Sequence, residues 1–272
     1  MFESAFMIRA LIAGVIVSLL ASVLGFFVVV RKMSFIGVGI AHAAFGGVAL
    51  GQLLGLPVLA SATFFSVATG LGIGAVTRKS KIKEDTAIGI FFAAGMALGI
   101  LFIYLKPGYS ADILSYLFGS ILAVTPTDLY IFSGVALVIL AVVALFFKEL
   151  LASSFDAELA RASGIPESFL FYLLLGLVSI GIVISIKIVG IVLVSALLVL
   201  PAATALQYSR RWLPVLGLSV FFGLLYTLGG LAASYWLDIP SGATIVILGT
   251  MIFILSLVFS PVRVKRNRRV PG

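Results

Sequence analysis

The sequence predicts an all-α bundle of membrane-spanning helices, and three observations lead to it. The 272 residues are 62% hydrophobic and only 10% charged, where a soluble domain is roughly half apolar and a quarter charged. The apolar residues come in runs of about 20, the length that crosses a hydrocarbon core of roughly 30 Å at 1.5 Å per helical residue. The basic residues between the runs are sorted by side, as the positive-inside rule demands.

Nine apolar segments follow in order: 7–30, 35–55, 57–77, 87–105, 129–147, 169–186, 188–207, 214–236 and 243–260. The first is preceded by Glu3 and is about 24 residues long, longer than a secretion-signal core, so it reads as a span. Only Ile186, Lys187 and Ile188 separate the sixth from the seventh. With the N-terminus outside, the inner connections hold Arg31, Lys32, Arg78, Lys79, Lys81, Lys83, Lys148, Arg161, Arg210, Arg211, Arg263, Lys265, Arg266, Arg268 and Arg269. Arg9, Lys106 and Lys187 alone remain outside. The expectation is therefore about nine transmembrane helices with a cytosolic C-terminus. Eight helices plus a re-entrant segment is the alternative. Residues 1–272 read as one transmembrane domain, and the net charge of +8 belongs to its inner loops rather than to a nucleic-acid-binding surface.

The second segment, Phe35 to Gly55, carries His42, the single histidine of the chain. Gly47, Gly51 and Gly55 recur every four residues, so they share a face on which another backbone can come close. A lone imidazole on such a helix either packs as a polar group or faces a pathway as a ligand. All ten acidic residues lie in loops or at span ends. Proton- and sodium-coupled carriers usually hold a carboxylate in mid-membrane, so its absence argues against a self-powered carrier. The lack of cysteine excludes disulfides and thiolate metal sites. No GxSxG elbow and no carboxylate oriented towards His42 supports a membrane hydrolase.

Between the fourth and fifth segments, Lys106 to Pro126 is too short and mixed to span. Ser110 is expected to cap a short helix with Asp112 in its first turn. Tyr109 and Tyr116 fit a headgroup-level helix, with a lid or re-entrant piece as the alternative. The loop Lys148 to Ser168 holds a second short helix. Ser154 or Asp156 is expected to cap it, Glu158 sits in its first turn, and Gly164 and Pro166 end it by Ala162. It reads either as an ordinary surface helix or as a docking knob for a soluble partner. The seventh segment contains Pro201, which removes a backbone bond and predicts a kink. Ser195, Thr204 and Gln207 give it a polar side that either lines a path or bonds neighbouring helices.

Five stretches in order, RKMSFIGVGIAHAAFGGVALG (31–51), EDTAIGIFFAAGMALG (84–99), DILSYLFGSILAVTPTDL (112–129), SFDAELARASGIP (154–166) and VGIVLVSALLVLPAATA (189–205), resemble the permease subunits of ABC importers for zinc, manganese and iron(II). The resemblance covers nearly the whole chain. It implies an inner-membrane transport subunit that is not itself an enzyme. The implied partners are a second copy of the chain, a cytosolic ATPase dimer that binds the ATP, an extracytoplasmic metal-binding protein, and membrane lipid. A divalent metal is the cargo, and no cofactor is bound permanently. The 154–166 loop resembles the family's coupling helix, with Phe155, Asp156, Glu158, Ala160 and Gly164 on the E-x-A-x-x-x-G pattern. The family's second span often reads Gly-Asp-x-x-Ser-His-Ala, with the Asp and His as a metal-handling pair. Here His42 is retained, but Val38 stands at the Asp position and Ala41 at the Ser position. An imidazole without a carboxylate suits zinc better than manganese, so zinc is expected first, with manganese or iron next. A permease for a chelated metal or cobalamin-like ligand, and a secondary ion-coupled carrier, are the competing expectations.

Overall fold

In the computed structural model residues 5–80, 82–106, 121 and 124–260 are described. Ser110, Asp112, Tyr109, Tyr116 and the Arg-rich stretch beyond Ser260 lie outside the described residues. Among the described residues ten α-helices form, in order α1 Ala5–Val30, α2 Ile36–Leu54, α3 Val58–Ser80, α4 Glu84–Leu105, α5 Pro126–Leu145, α6 Phe147–Phe155, α7 Ala157–Ala162, α8 Glu167–Ala205, α9 Trp212–Leu237 and α10 Ser241–Val258. Eight of these described helices are long and apolar enough to cross a membrane.

One of the eight, α8, has 39 residues, which as a straight helix is about 58 Å, twice a bilayer core. It is not straight. Gly190 adopts φ 82° and ψ 165°, a backbone region open essentially to glycine alone. Before Gly190 the chain runs antiparallel to α3: Ser179 lies at Gly70, Leu175 at Gly74, and Glu167 at Arg78. After it the chain runs alongside α10: Leu193 lies at Gly242, Leu200 at Gly249, and Gln207 at Ser260. Gly181 and Leu198 therefore meet the same turn of α1, at Leu24 and Gly25. The polypeptide doubles back at Gly190. The sequence expected the division at Lys187 and a kink at Pro201. The division falls instead three residues later, where the side chain is absent, and Pro201 lies inside the second half, as its segment placed it.

The core lies where α8 packs on α1, α2, α3, α9 and α10. Phe26, Phe27, Ile36, Ile40, Ile73, Val178 and Tyr226 are fully shielded there. By contrast α4, α5 and α10 keep broad apolar faces exposed, including Leu101, Leu137 and Ile254. Exposed apolar faces on helices of spanning length are stable against lipid, not water.

Basic residues that the loop pattern assigned to the same side lie together in the bundle. Arg31, Arg78, Arg161 and Glu167 gather at one end. The three basic residues assigned to the other side each find a partner there. Arg9 Nε donates to Val124 O at 3.1 Å, Lys106 Nζ to Gln52 Oε1 at 3.3 Å, and Lys187 pairs with Asp128.

Candidate functional site

Helix α2 sits between α3, α4 and α8, and its small residues set how closely they approach. A Cβ on Gly47 would lie 2.7 Å from Ala62 Cα, and one on Gly51 2.9 Å from Ser61 Oγ, so α3 covers that face. The third glycine of the series, Gly55, does another job: at φ 67° it ends the helix. On the α4 side, a Cβ on Gly95 would lie 2.8 Å from Ala43 Cα.

His42 occupies this packed helix, partly buried, with its ring 4.9 Å from that of Phe92. Its Nδ1 lies 2.8 Å from Val38 O. A carbonyl only accepts, so in the neutral ring Nδ1 carries the proton and Nε2 keeps its lone pair. The helix thus selects the tautomer in which Nε2 is the acceptor nitrogen. No group of three or more His, Cys, Asp or Glu side chains able to hold a metal occurs among the described residues.

The polar residues of the second half of α8 are placed as follows. Thr204 is fully buried; its hydroxyl donates to Leu200 O at 2.8 Å and accepts from Tyr226 Oη at 2.7 Å. Just past the end of α8, Gln207 Nε2 donates to Ala203 O at 3.4 Å, and the Gln207 backbone carbonyl accepts from the Ser260 hydroxyl at 2.8 Å. Ser195 Oγ is buried with no partner among the described residues. Thr204 thereby ties α8 to α9, one of the two roles its position allowed.

At the arginine-rich end, α7 is built by local chemistry. Asp156 caps it, accepting from the backbone N–H of Glu158 at 3.0 Å and Leu159 at 2.9 Å. Glu158 in the first turn adds a favourable charge at the positive helix end. Gly164, at φ 79°, terminates it, with Ile165 N–H on Ala160 O and Gly164 N–H on Arg161 O, both at 3.0 Å. That is the left-handed closure glycine favours. Ala160 faces inward, whereas Phe155 and Leu159 are 58% and 65% exposed. Leu159 thus stands out on a short helix whose ends are both locally satisfied, and Phe155 stands out just before its cap, at the end of α6.

Ser154, the other expected cap, belongs to α6, a helix the sequence reading did not separate. Its hydroxyl donates to Leu150 O at 2.6 Å and accepts from Arg31 Nε at 3.1 Å. Arg31 also donates to Ser153. Sequence reasoning also missed Glu167. This carboxylate is 3% exposed and receives Arg78 Nη2 at 2.6 Å on both oxygens. Arg161 and Arg31 lie at 3.8 Å and 3.9 Å from it. Both Arg31 and Arg78 rest over the Phe171 ring. Burial pushes the Arg31 guanidinium below its usual range, Glu167 opposes the shift, and Arg78 adds to it. The available signal was an acid directly after Pro166 at the mouth of an apolar run, with arginines ending two other runs. A cavity of about 550 Å³ opens beside this cluster, walled by Arg31, Lys32, Arg78 and Arg161 with Glu84 and Glu167.

Comparison with known proteins places this geometry. The profile of the ABC 3 transport family matches residues 3–260. The chain is 40% identical to the manganese transport system membrane protein MntC of Listeria monocytogenes, over 96% of this chain and 93% of that one. It is 37% identical to the manganese import system permease protein ScaB of Streptococcus gordonii, over 97% and 95%. Among solved structures, PsaBC from Streptococcus pneumoniae in complex with Fab superposes with a TM-score of 0.84 at 38% identity, covering 95% and 93% of the two chains. The chain belongs to the ABC 3 transport family and is a multi-pass bacterial plasma-membrane permease subunit, a transport component and not an enzyme.

Proposed function

We propose that this chain, as a homodimer, forms the membrane path of an ATP-driven importer for a divalent transition metal, manganese first. The observation that carries the reading is the near full-length likeness to permeases named for manganese transport. Residue chemistry at Val38 and His42 put zinc first, and the names of the relatives support manganese instead. A hard ion crossing a path poor in carboxylates keeps much of its water shell, which favours release as well as entry. An extracytoplasmic binding protein delivers the ion, and a separate ATPase dimer hydrolyses the ATP.

In this reading the 154–166 segment is the coupling helix. Its exposed Phe155 and Leu159 seat in the ATPase, with Asp156, Glu158, Ala160 and Gly164 holding its shape. Closure of the ATPase dimer moves α7, and the spans about the dimer axis alternate between outward and inward openings. The reversal at Gly190 supports a reading of nine crossings, the count under which the C-terminus is cytosolic. His42 Nε2 meets the ion in the inner half of the bilayer, about 10 Å from the cytosolic end of α2. Ser195 is proposed as a further polar contact along the same path, with Thr204 and Gln207 shaping it.

The testing experiment is ATP-driven uptake by the complete complex in proteoliposomes, supplied ion by ion with its binding protein. Manganese(II) is expected to stimulate ATP hydrolysis and uptake most. Greatest stimulation by zinc would reverse the metal assignment. A requirement for a chelate would select the chelated-metal alternative, and uptake without the ATPase would select the secondary carrier.

His42→Ala is expected to slow manganese uptake about tenfold, the loss of roughly 1.4 kcal/mol of interaction. Co-purification with the ATPase is expected to be intact. Wild-type uptake by the alanine variant would remove the imidazole from the path.

A further inference from the structure

The four ion pairs among the described residues divide between the two ends of the bundle. Asp128 and Lys187 form one, and Glu167 alone serves the other three. Its partners come from three different elements. Arg31 follows α1, Arg78 closes α3, and Arg161 rides on α7, while Glu167 itself opens α8. Arg31 extends the set to α6 through Ser153 and Ser154, and Arg78 reaches Ser168 at 2.6 Å. Four helices therefore meet on one carboxylate.

The contacts differ in character. Arg78 is held at 2.6 Å on both carboxylate oxygens, a charge-assisted arrangement of fixed geometry. Arg161 is 59% exposed and reaches only to 3.8 Å, and such a contact adds little to stability. Its place gives it another use. Helix α7 has six residues, and Arg161 stands in its last turn. Displacing α7 changes the Arg161 distance first. The response is felt at Glu167, which sits in a poorly solvated site where charges act strongly on each other. There one negative group faces three positive ones, so weakening any one contact redistributes the others.

We propose that Glu167 is the positioning residue that transmits movement of α7 to the membrane helices, through Arg31 to α1 and through Arg78 to α3. This rests on the reading of α7 as the ATPase-docking helix. Arg31 leads directly into α2 and His42, so the cluster connects the energy source to the ion path by one charged node.

The test uses the whole complex in proteoliposomes with manganese(II), measuring ions moved per ATP hydrolysed for wild type, R161Q, E167Q and E167D. R161Q and E167Q are expected to co-purify with the ATPase and to hydrolyse ATP. Their transport per ATP is expected to fall, by about tenfold in E167Q and by a smaller factor in R161Q, the scale of an ordinary coupling energy. E167D, which keeps the charge, is expected to restore part of the ratio. A merely structural role would lower yield and hydrolysis together and leave the ratio unchanged. An unchanged ratio in both glutamine variants overturns the proposal. Should E167Q fail to assemble, R161Q decides alone, because that change leaves the buried Glu167 carboxylate and its Arg78 pairing in place. Wild-type complex that shows no ATP-driven uptake overturns the underlying reading and this inference with it.

Discussion

Gly25→Ala is expected to leave little folded protein. A Cβ at that position would stand 1.9 Å from the carbonyl oxygen of Leu198 and 2.8 Å from its carbon. Both atoms are backbone, in the middle of a buried helix, so no rotamer change relieves the overlap. Overpacking a core with one methyl usually costs about 1–3 kcal/mol. Here α1 and the second half of α8 must separate, which places the cost at the upper end or beyond. Thermal unfolding in detergent, followed by size-exclusion, measures it. Gly134→Ala is the control, since a Cβ there meets nothing within 4 Å. That change is expected to be neutral or slightly stabilising, because alanine is the better helix former. Equal behaviour of the two variants would show that α1 and α8 are not in backbone contact.

Gly190→Val is expected to carry the second large effect, through conformation rather than crowding. At φ 82° and ψ 165°, a residue with a side chain bears strain of about 1–3 kcal/mol. A β-branched one sits at the high end because its χ1 freedom is also narrow. The valine variant is expected to unfold at lower temperature than wild type. It is also expected to lose the exterior exposure of the Lys187 tip. The chain contains no cysteine, so a single cysteine at position 187 reports that exposure to an impermeant thiol reagent. Full labelling of Lys187→Cys from outside, lost on adding Gly190→Val, is the expected pair of results. No labelling in either background would refute the reversal.

These two glycines show where sequence reading stops. Gly25 and Gly190 look alike in a string of apolar residues. One is required because a distant backbone lies against it, and the other because its own dihedrals turn the chain. The glycine series of α2 was readable as a close-contact face, and α3 occupies it at Gly47 and Gly51. Gly55 was assigned to the same face by spacing, yet it serves as a helix terminator. Periodicity cannot tell these uses apart, because both select for a missing side chain.

The 154–166 segment was more legible. Its cap, first-turn acid and terminal glycine all act within a few residues, so the order of Asp156, Glu158 and Gly164 contains the helix. Ser154 was equally good as a cap by residue type. Packing decided against it, since Arg31 draws its hydroxyl into the interior cluster.

The sequence by itself determined the solvent of this protein, the length of its helices and the sorting of its charges, because hydropathy and local hydrogen bonding are properties of contiguous residues. Only the tertiary structure decided that Arg31, Arg78, Arg161 and Glu167 share one site, and that the longest helix folds back at Gly190 rather than at Lys187. Ion pairs between residues far apart in the chain exist only after helices pack, and a turn is placed by the backbone that can bend where neighbouring helices end.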